Sequence, residues 1–212
     1  MPLLNILDSD FALPSKVCIL APGPRGRPHY ARIPDDYLVI ALSKAVLIPQ
    51  VEADIWMMHH THQDWFDEAN ARFDGVCIFK EAPARAVAHK LGDAVCYCYN
   101  PLQGEDRMEQ CRCVDGRIRG GASVAGHALQ IAYTFGVKDI LLCGVDMSGN
   151  GYFDESINVR PEHGETWSFV YLLNPMIRWM IDEQSLRIAT LSPTKLDVPR
   201  YQPDQPALDQ SL

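Results

Sequence analysis

Chemistry in this chain gathers where short apolar runs give way to glycine-rich or polar stretches. Gly120, Gly121 and Ser123 stand before an apolar-periodic segment with almost no side-chain bulk, so a phosphate or carboxylate could approach the backbone N–H groups of a helix start. Asp146 closes another apolar run and opens a polar loop that reaches Asp154. A third stretch, Pro22 to Pro28, places Gly23, Pro24, Arg25, Gly26 and Arg27 together, and a guanidinium fork suits phosphate oxygens. His59-His60-Thr61-His62 ends a further run. Adjacent side chains point in different directions and the helical H-x-x-x-H spacing is missing, so His59 reads as a strand-end contact to ligand polar groups and no metal is assigned. Each feature also has a plainer reading, as a turn, a cap or a solvated side chain. Their recurrence at successive strand ends points to a ligand.

The elements that must position these residues follow from periodicity. Val124, Ala128, Ile131, Ala132 and Phe135 recur at three-and-four spacing, with Ser123 as N-cap and Gly136 at the left-handed position that ends a helix. Ile140 to Val145 is continuously apolar, the mark of a parallel strand buried on both faces. Further strands are read at Lys16 to Ala21, Tyr37 to Ser43, Asp54 to Met58, Gly75 to Phe79, Ala94 to Tyr99 and Leu186 to Leu191. Helices are read through Trp65 and Phe66 to Phe73, over Pro83 to Leu91, and over Thr166 to Glu183, where Pro175 predicts a kink or break. Pro22 to Pro28 is expected to be a shaped loop, because prolines lack donors and glycines favour turns. The pattern is an α/β domain in which ligands sit beyond the carboxyl ends of the strands. Residues 1–15 form an N-terminal extension and 16–193 the domain, with a polar variable insertion near 100–119; residues 194–212 form a tail expected to pack loosely.

A chain of 212 residues with 47% hydrophobic content can bury one substantial core. A formal charge of -8 argues against a nucleic-acid partner or a broad anionic-membrane surface, leaving room for one local basic pocket. No apolar run approaches the roughly 20 residues of a membrane span. Of seven cysteines, Cys18, Cys77 and Cys143 lie inside apolar runs, where a reduced thiol serves as a small hydrophobe, and Cys96/Cys98 and Cys111/Cys113 are C-x-C pairs rather than C-x-x-C zinc knuckles. The expectation is a cytoplasmic protein with free thiols.

The order of these motifs resembles the bacterial lipooligosaccharide sialyltransferases and a related, mostly uncharacterised family that includes the archaeal hydroxymethyl-dihydropterin diphosphokinases. The likeness runs over Lys16 to Pro193 and is strongest over Gly120 to Asp146. It implies a single Rossmann-like nucleotide-binding α/β domain, a mostly parallel sheet flanked by helices, and a CMP-sugar donor bound without an obligatory metal. Gly23 and Pro24 match the first loop, whereas Ala21, Pro22 and Arg25 replace the family's glycine, asparagine and serine. Ser43 stands in place of an asparagine, and Gly121 to Ser123 fall near a threonine-serine-glycine turn. Asp146 matches the aspartate of G-[IV]-D and Tyr152 the later of two phosphate-holding tyrosines, the earlier being Ser148 here. His163 falls where the family keeps its general base, and a neutral imidazole near pH 7 can take the proton of an attacking hydroxyl.

The resemblance therefore implies a glycosyltransferase with a nucleotide-sugar donor and a glycan or other small acceptor. Two alternatives stand beside it. One is a diphosphokinase-like transferase in which Asp54, His59 or Asp146 serves magnesium; the other is a nucleotide- or glycan-binding protein without catalysis. Peripheral membrane contact, oligomeric state, and the identities of sugar and acceptor stay open.

Overall fold

The structure, a computed structural model, describes residues 3–60, 65–91, 95–101, 113–114, 117–118, 123–147 and 166–203. In chain order the strands are β1 (Leu4–Asn5), β2 (Lys16–Leu20), β3 (Leu38–Leu42), β4 (Ile55–Met58), β5 (Val76–Lys80), β6 (Cys96–Tyr99), β7 (Cys113–Val114), β8 (Arg117–Ile118), β9 (Asp139–Cys143) and β10 (Arg187–Thr190). The helices are α1 (Phe66–Arg72), α2 (Glu81–Val87), α3 (Val124–Thr134) and α4 (Thr166–Asp182). Eight strands form one sheet in the order β1-β6-β5-β4-β3-β2-β9-β10, and every neighbouring pair is parallel. The small β7-β8 hairpin is antiparallel.

Because the strands are covered on both sides, their sequences are continuously apolar instead of alternating. One face carries Val17, Ile19, Ile40, Ile55, Ile78 and Ile140 against Ala128, Leu129 and Ile131 of α3 and Leu173, Met176 and Ile177 of α4. The other splits into two clusters. Cys18, Leu20, Val39 and Cys143 pack on Tyr30, Ala45 and Ile48. Trp56, Met58, Cys77, Phe79, Cys96 and Cys98 pack on Phe66 and Ala69 of α1 and Ala84 and Val87 of α2. The five cysteines Cys18, Cys77, Cys96, Cys98 and Cys143 are free and buried, in keeping with the reading of Cys18, Cys77 and Cys143 as small hydrophobes.

Three segments differ from expectation. Pro24–Arg32 is a 3-10 helix, not a loop. Pro24 sits in its first turn, where no donor is required, and the bonds that hold it are short-range, such as Gly26 N–H to Gly23 C=O at 3.0 Å. Of the kink or break expected at Pro175, the break does not occur: α4 continues through it, with Pro175 itself and Tyr171 on the exposed side, Tyr171 at 79%. The carbonyl that loses its i+4 donor lies on that solvent side. Of the polar insertion, Ile118 is fully buried and donates to the Asn100 carbonyl, so an apolar anchor interrupts an otherwise charged stretch.

The two ends of the chain also join the sheet. Leu4 and Asn5 pair with Tyr97 and Cys98 at its edge while Ile6 is fully buried. After β10, Leu196 is buried and Arg200 bridges Thr190, so residues 194–203 return along the sheet; residues 204–212 lie outside the described residues. No helix among the described residues is long and apolar enough to cross a membrane.

Candidate functional site

The chain builds the sheet outward from β2 in one direction, through β3, β4, β5 and β6, and then returns to add β9 and β10 on the other side. The loops leaving β2 and β9 therefore diverge to opposite sides, which is where an open parallel sheet binds ligands. Gly23, Pro24, Arg25 and Asp146, predicted independently, meet at this point.

The two loops are laced together. Ala21 N–H donates to Cys143 C=O at 2.8 Å, and Gly23 N–H donates to Gly144 C=O at 3.0 Å. Gly144 adopts φ +71 and donates to Ser192 Oγ at 2.8 Å, which draws in the end of β10. Asp146 Oδ2 accepts from Arg25 N–H at 2.8 Å. A Cβ on Gly23 would lie 2.1 Å from the Gly144 oxygen and 2.6 Å from Asp146 Cγ, so that glycine is required by packing between the loops. The Arg25 side chain stands exposed.

Asp146 is the unusual group here. It is only 4% exposed, and Oδ1 is buried with no hydrogen-bond partner among the described residues. Burial raises its carboxyl to about 6, against the opposing pull of the Arg25 backbone N–H and guanidinium. Met147, next in sequence, holds φ 52, and Ser43 at the end of β3 holds φ 50. Left-handed backbone at two non-glycine residues marks these strand ends as places held in shape by their surroundings. Ser43 uses its carbonyl to accept from Trp56 Nε1 at 3.0 Å.

Farther along the same rim lies a second cluster, about 10 Å from β2 by strand spacing. His59, leaving β4, stacks on His60 with ring centroids 4.7 Å apart and meets His127 edge-on at 5.1 Å. His127 Nδ1 lies 3.4 Å from the hydroxyl of Tyr99, the last residue of β6. Burial, then the charge of Lys80 and His60, lowers His59 to about 4; burial, then His59 and Lys80, lowers His127 to about 3. Both rings stay neutral at physiological pH. Ser123 is the N-cap of α3, its hydroxyl accepting from Gly126 N–H at 3.1 Å, so its predicted capping role is filled.

His127, Tyr99 and Lys80 were not singled out from the sequence. His127 had a signal, since it stands three residues after Val124 and four before Ile131, on the buried face of α3. Gly120, Gly121, Ser148, Tyr152 and His163 lie outside the described residues. Among the described residues no three His, Cys, Asp or Glu side chains group to hold a metal ion. Asp54 precedes β4 and accepts from Val39 N–H at 2.7 Å, at the opposite end of the sheet from Asp146 and His59, so those three do not share one ion.

No family model and no curated protein matches the chain. Among solved structures it is similar to a variant of the sialyltransferase CstII in complex with CMP, at 11% identity and TM-score 0.54, covering 88% of this chain and 87% of that one. The chain has a sialyltransferase-like fold. CstII from Campylobacter jejuni in complex with the substrate analogue CMP-3FNeuAc gives TM-score 0.54 at 11% identity, over 89% of this chain and 87% of the other. Its complex with cytidine-5'-monophosphate gives 0.51 at 12%, over 88% and 85%.

Proposed function

We propose that this protein is a glycosyltransferase that takes its sugar from a CMP-activated donor. The observation that carries the reading is the topological switch between β2 and β9, with Gly23, Pro24, Arg25 and Asp146 gathered at its carboxyl end. The fold shared with CstII, whose structures hold CMP, supports a cytidine nucleotide as the donor's carrier. In the proposed reaction an acceptor hydroxyl attacks the anomeric carbon of the sugar. Its proton passes to the His163 imidazole as the bond from that carbon to the phosphate oxygen breaks and CMP departs. Tyr152, with backbone N–H groups at the Gly120-Gly121 turn, stabilises the departing phosphate. Ser43, Ser123 and Ser148 complete the donor side.

Thermal-shift and calorimetric titration with CMP, UDP, GDP and ATP, each with and without magnesium, test the nucleotide. CMP should stabilise the chain equally with and without the metal. His163→Ala should lower transfer by about 10²-fold while CMP affinity is kept, since a base acts mainly in the transition state. Stabilisation by ATP with magnesium, and none by CMP, would replace this reading with the diphosphokinase-like one.

A further inference from the structure

The carboxyl rim of β4, β5 and β6 carries a row of polar groups that the donor site does not use. Met58 pairs with Phe79 and Lys80 pairs with Tyr99, so His59, Lys80 and Tyr99 are lateral neighbours at the ends of three adjacent parallel strands. Side chains alternate along a strand, so Lys80 shares the face of Ile78, which packs in the α3 layer with Tyr99. On that layer His127, in the first turn of α3, contacts both His59 and Tyr99. An ammonium, a phenol hydroxyl and imidazoles are thus gathered at one place on the rim, with the Tyr99 hydroxyl 3.5 Å from the Met58 carbonyl as well.

Lys80 is half-buried and has no ion pair among the described residues. Its neighbour in sequence, Glu81, is engaged with Arg85 and Asn100. The charge of Lys80 reaches both His59 and His127. A half-buried ammonium that no carboxylate among the described residues pairs, next to neutral imidazoles, is one anion short of a satisfied site. The start of α3 adds its positive end to the same side. One to three strands separate the row from β2, so it stands about 10–20 Å from the β2-β9 crevice, a distance that a short oligosaccharide spans.

We propose that His59, Lys80 and Tyr99, backed by His127, form an anion-binding subsite that holds a carboxylate or phosphate group of the acceptor. The acceptor is then an acidic glycan or sugar phosphate. Assignment to the acceptor rests on the glycosyltransferase reading above; the anion site does not.

Calorimetry and histidine-ring NMR on the full chain test it, with glucuronate, inorganic phosphate and glucose as probes, each with and without saturating CMP. Glucuronate or phosphate should move the His59 and His127 resonances in the presence of CMP, and glucose should not. The tighter of the two anions tells carboxylate from phosphate. Lys80→Met should weaken anion binding by about tenfold or more, Lys80→Arg should retain it, and neither should change CMP affinity or the urea midpoint. Glucose binding as well as glucuronate, or Lys80→Met binding anions like the parent, overturns the subsite. Anion binding that survives in a chain that does not bind CMP upholds the site and overturns its assignment to an acceptor.

Discussion

Replacing Asp146 with asparagine should stabilise the protein at neutral pH, although it removes a carboxylate that ties the first loop to the end of β9. The unfolded carboxyl releases its proton near pH 3.8 and the folded one near 6. Between those values the folded chain holds the extra proton, so stability contributed by this group is complete below pH 3.8 and falls as pH rises through 6. A displacement of about 2 pH units corresponds to about 3 kcal/mol. Asparagine keeps an oxygen to accept from Arg25 N–H and cannot ionise, so it mimics the protonated acid. Urea unfolding of parent and Asp146→Asn at pH 4 and pH 7.5 isolates the effect, because the histidines, whose lowered values act in the opposite sense, are common to both. The two should be within about 0.5 kcal/mol at pH 4, with the variant more stable by about 1–3 kcal/mol at pH 7.5. A variant less stable at pH 7.5 would refute the reasoning, because it would show that the ionised carboxylate is held by a donor.

Gly23→Ala should lower stability by about 2–3 kcal/mol in the same urea assay, since the added methyl meets a backbone carbonyl that cannot withdraw; a change under about 0.5 kcal/mol would mean that the two loops are not laced as described. Thiol titration of the native protein should leave Cys18, Cys77, Cys96, Cys98 and Cys143 unreactive, burial holding Cys77, Cys96 and Cys143 up at about 12; after unfolding without reductant all seven cysteines should react, and a deficit would reveal a disulfide.

The α/β architecture was legible because a strand covered on both faces must be apolar along its length, and KVCIL, LVIAL, IWMM and DILLC are almost wholly so. Helix α3 was legible for the same kind of reason, with Ser123 at its start and Gly136, at φ +76, just beyond its end. Asp146 could be placed at a strand end, yet its lost solvation could not, because that depends on Gly23 and Arg25, more than 100 residues earlier in the chain. The 3-10 helix over Pro24–Arg32 was hidden by its prolines, which read as helix breakers: Pro24 fits the first turn, where no donor is needed, but Pro28 lies inside the helix. The His59–His127–Tyr99 contact needed the sheet order itself, since these residues come from β4, α3 and β6.

The central place of β2 bears on how the chain can be made. β2 pairs with β3 within a short stretch of sequence, but its other neighbour, β9, is synthesised about 120 residues later. At about 5–20 residues per second, a ribosome leaves that edge without its partner for about 6–24 s. Throughout the interval Val17, Cys18, Ile19 and Leu20, all fully buried in the finished protein, stand on the open edge of a half-built sheet with a row of unpaired backbone groups beside them. The crevice between the β2 and β9 loops cannot exist before β9 arrives, so a ligand bound there cannot steady the nascent N-terminal half, whose open edge is exposed to wrong strand pairing until the second half emerges.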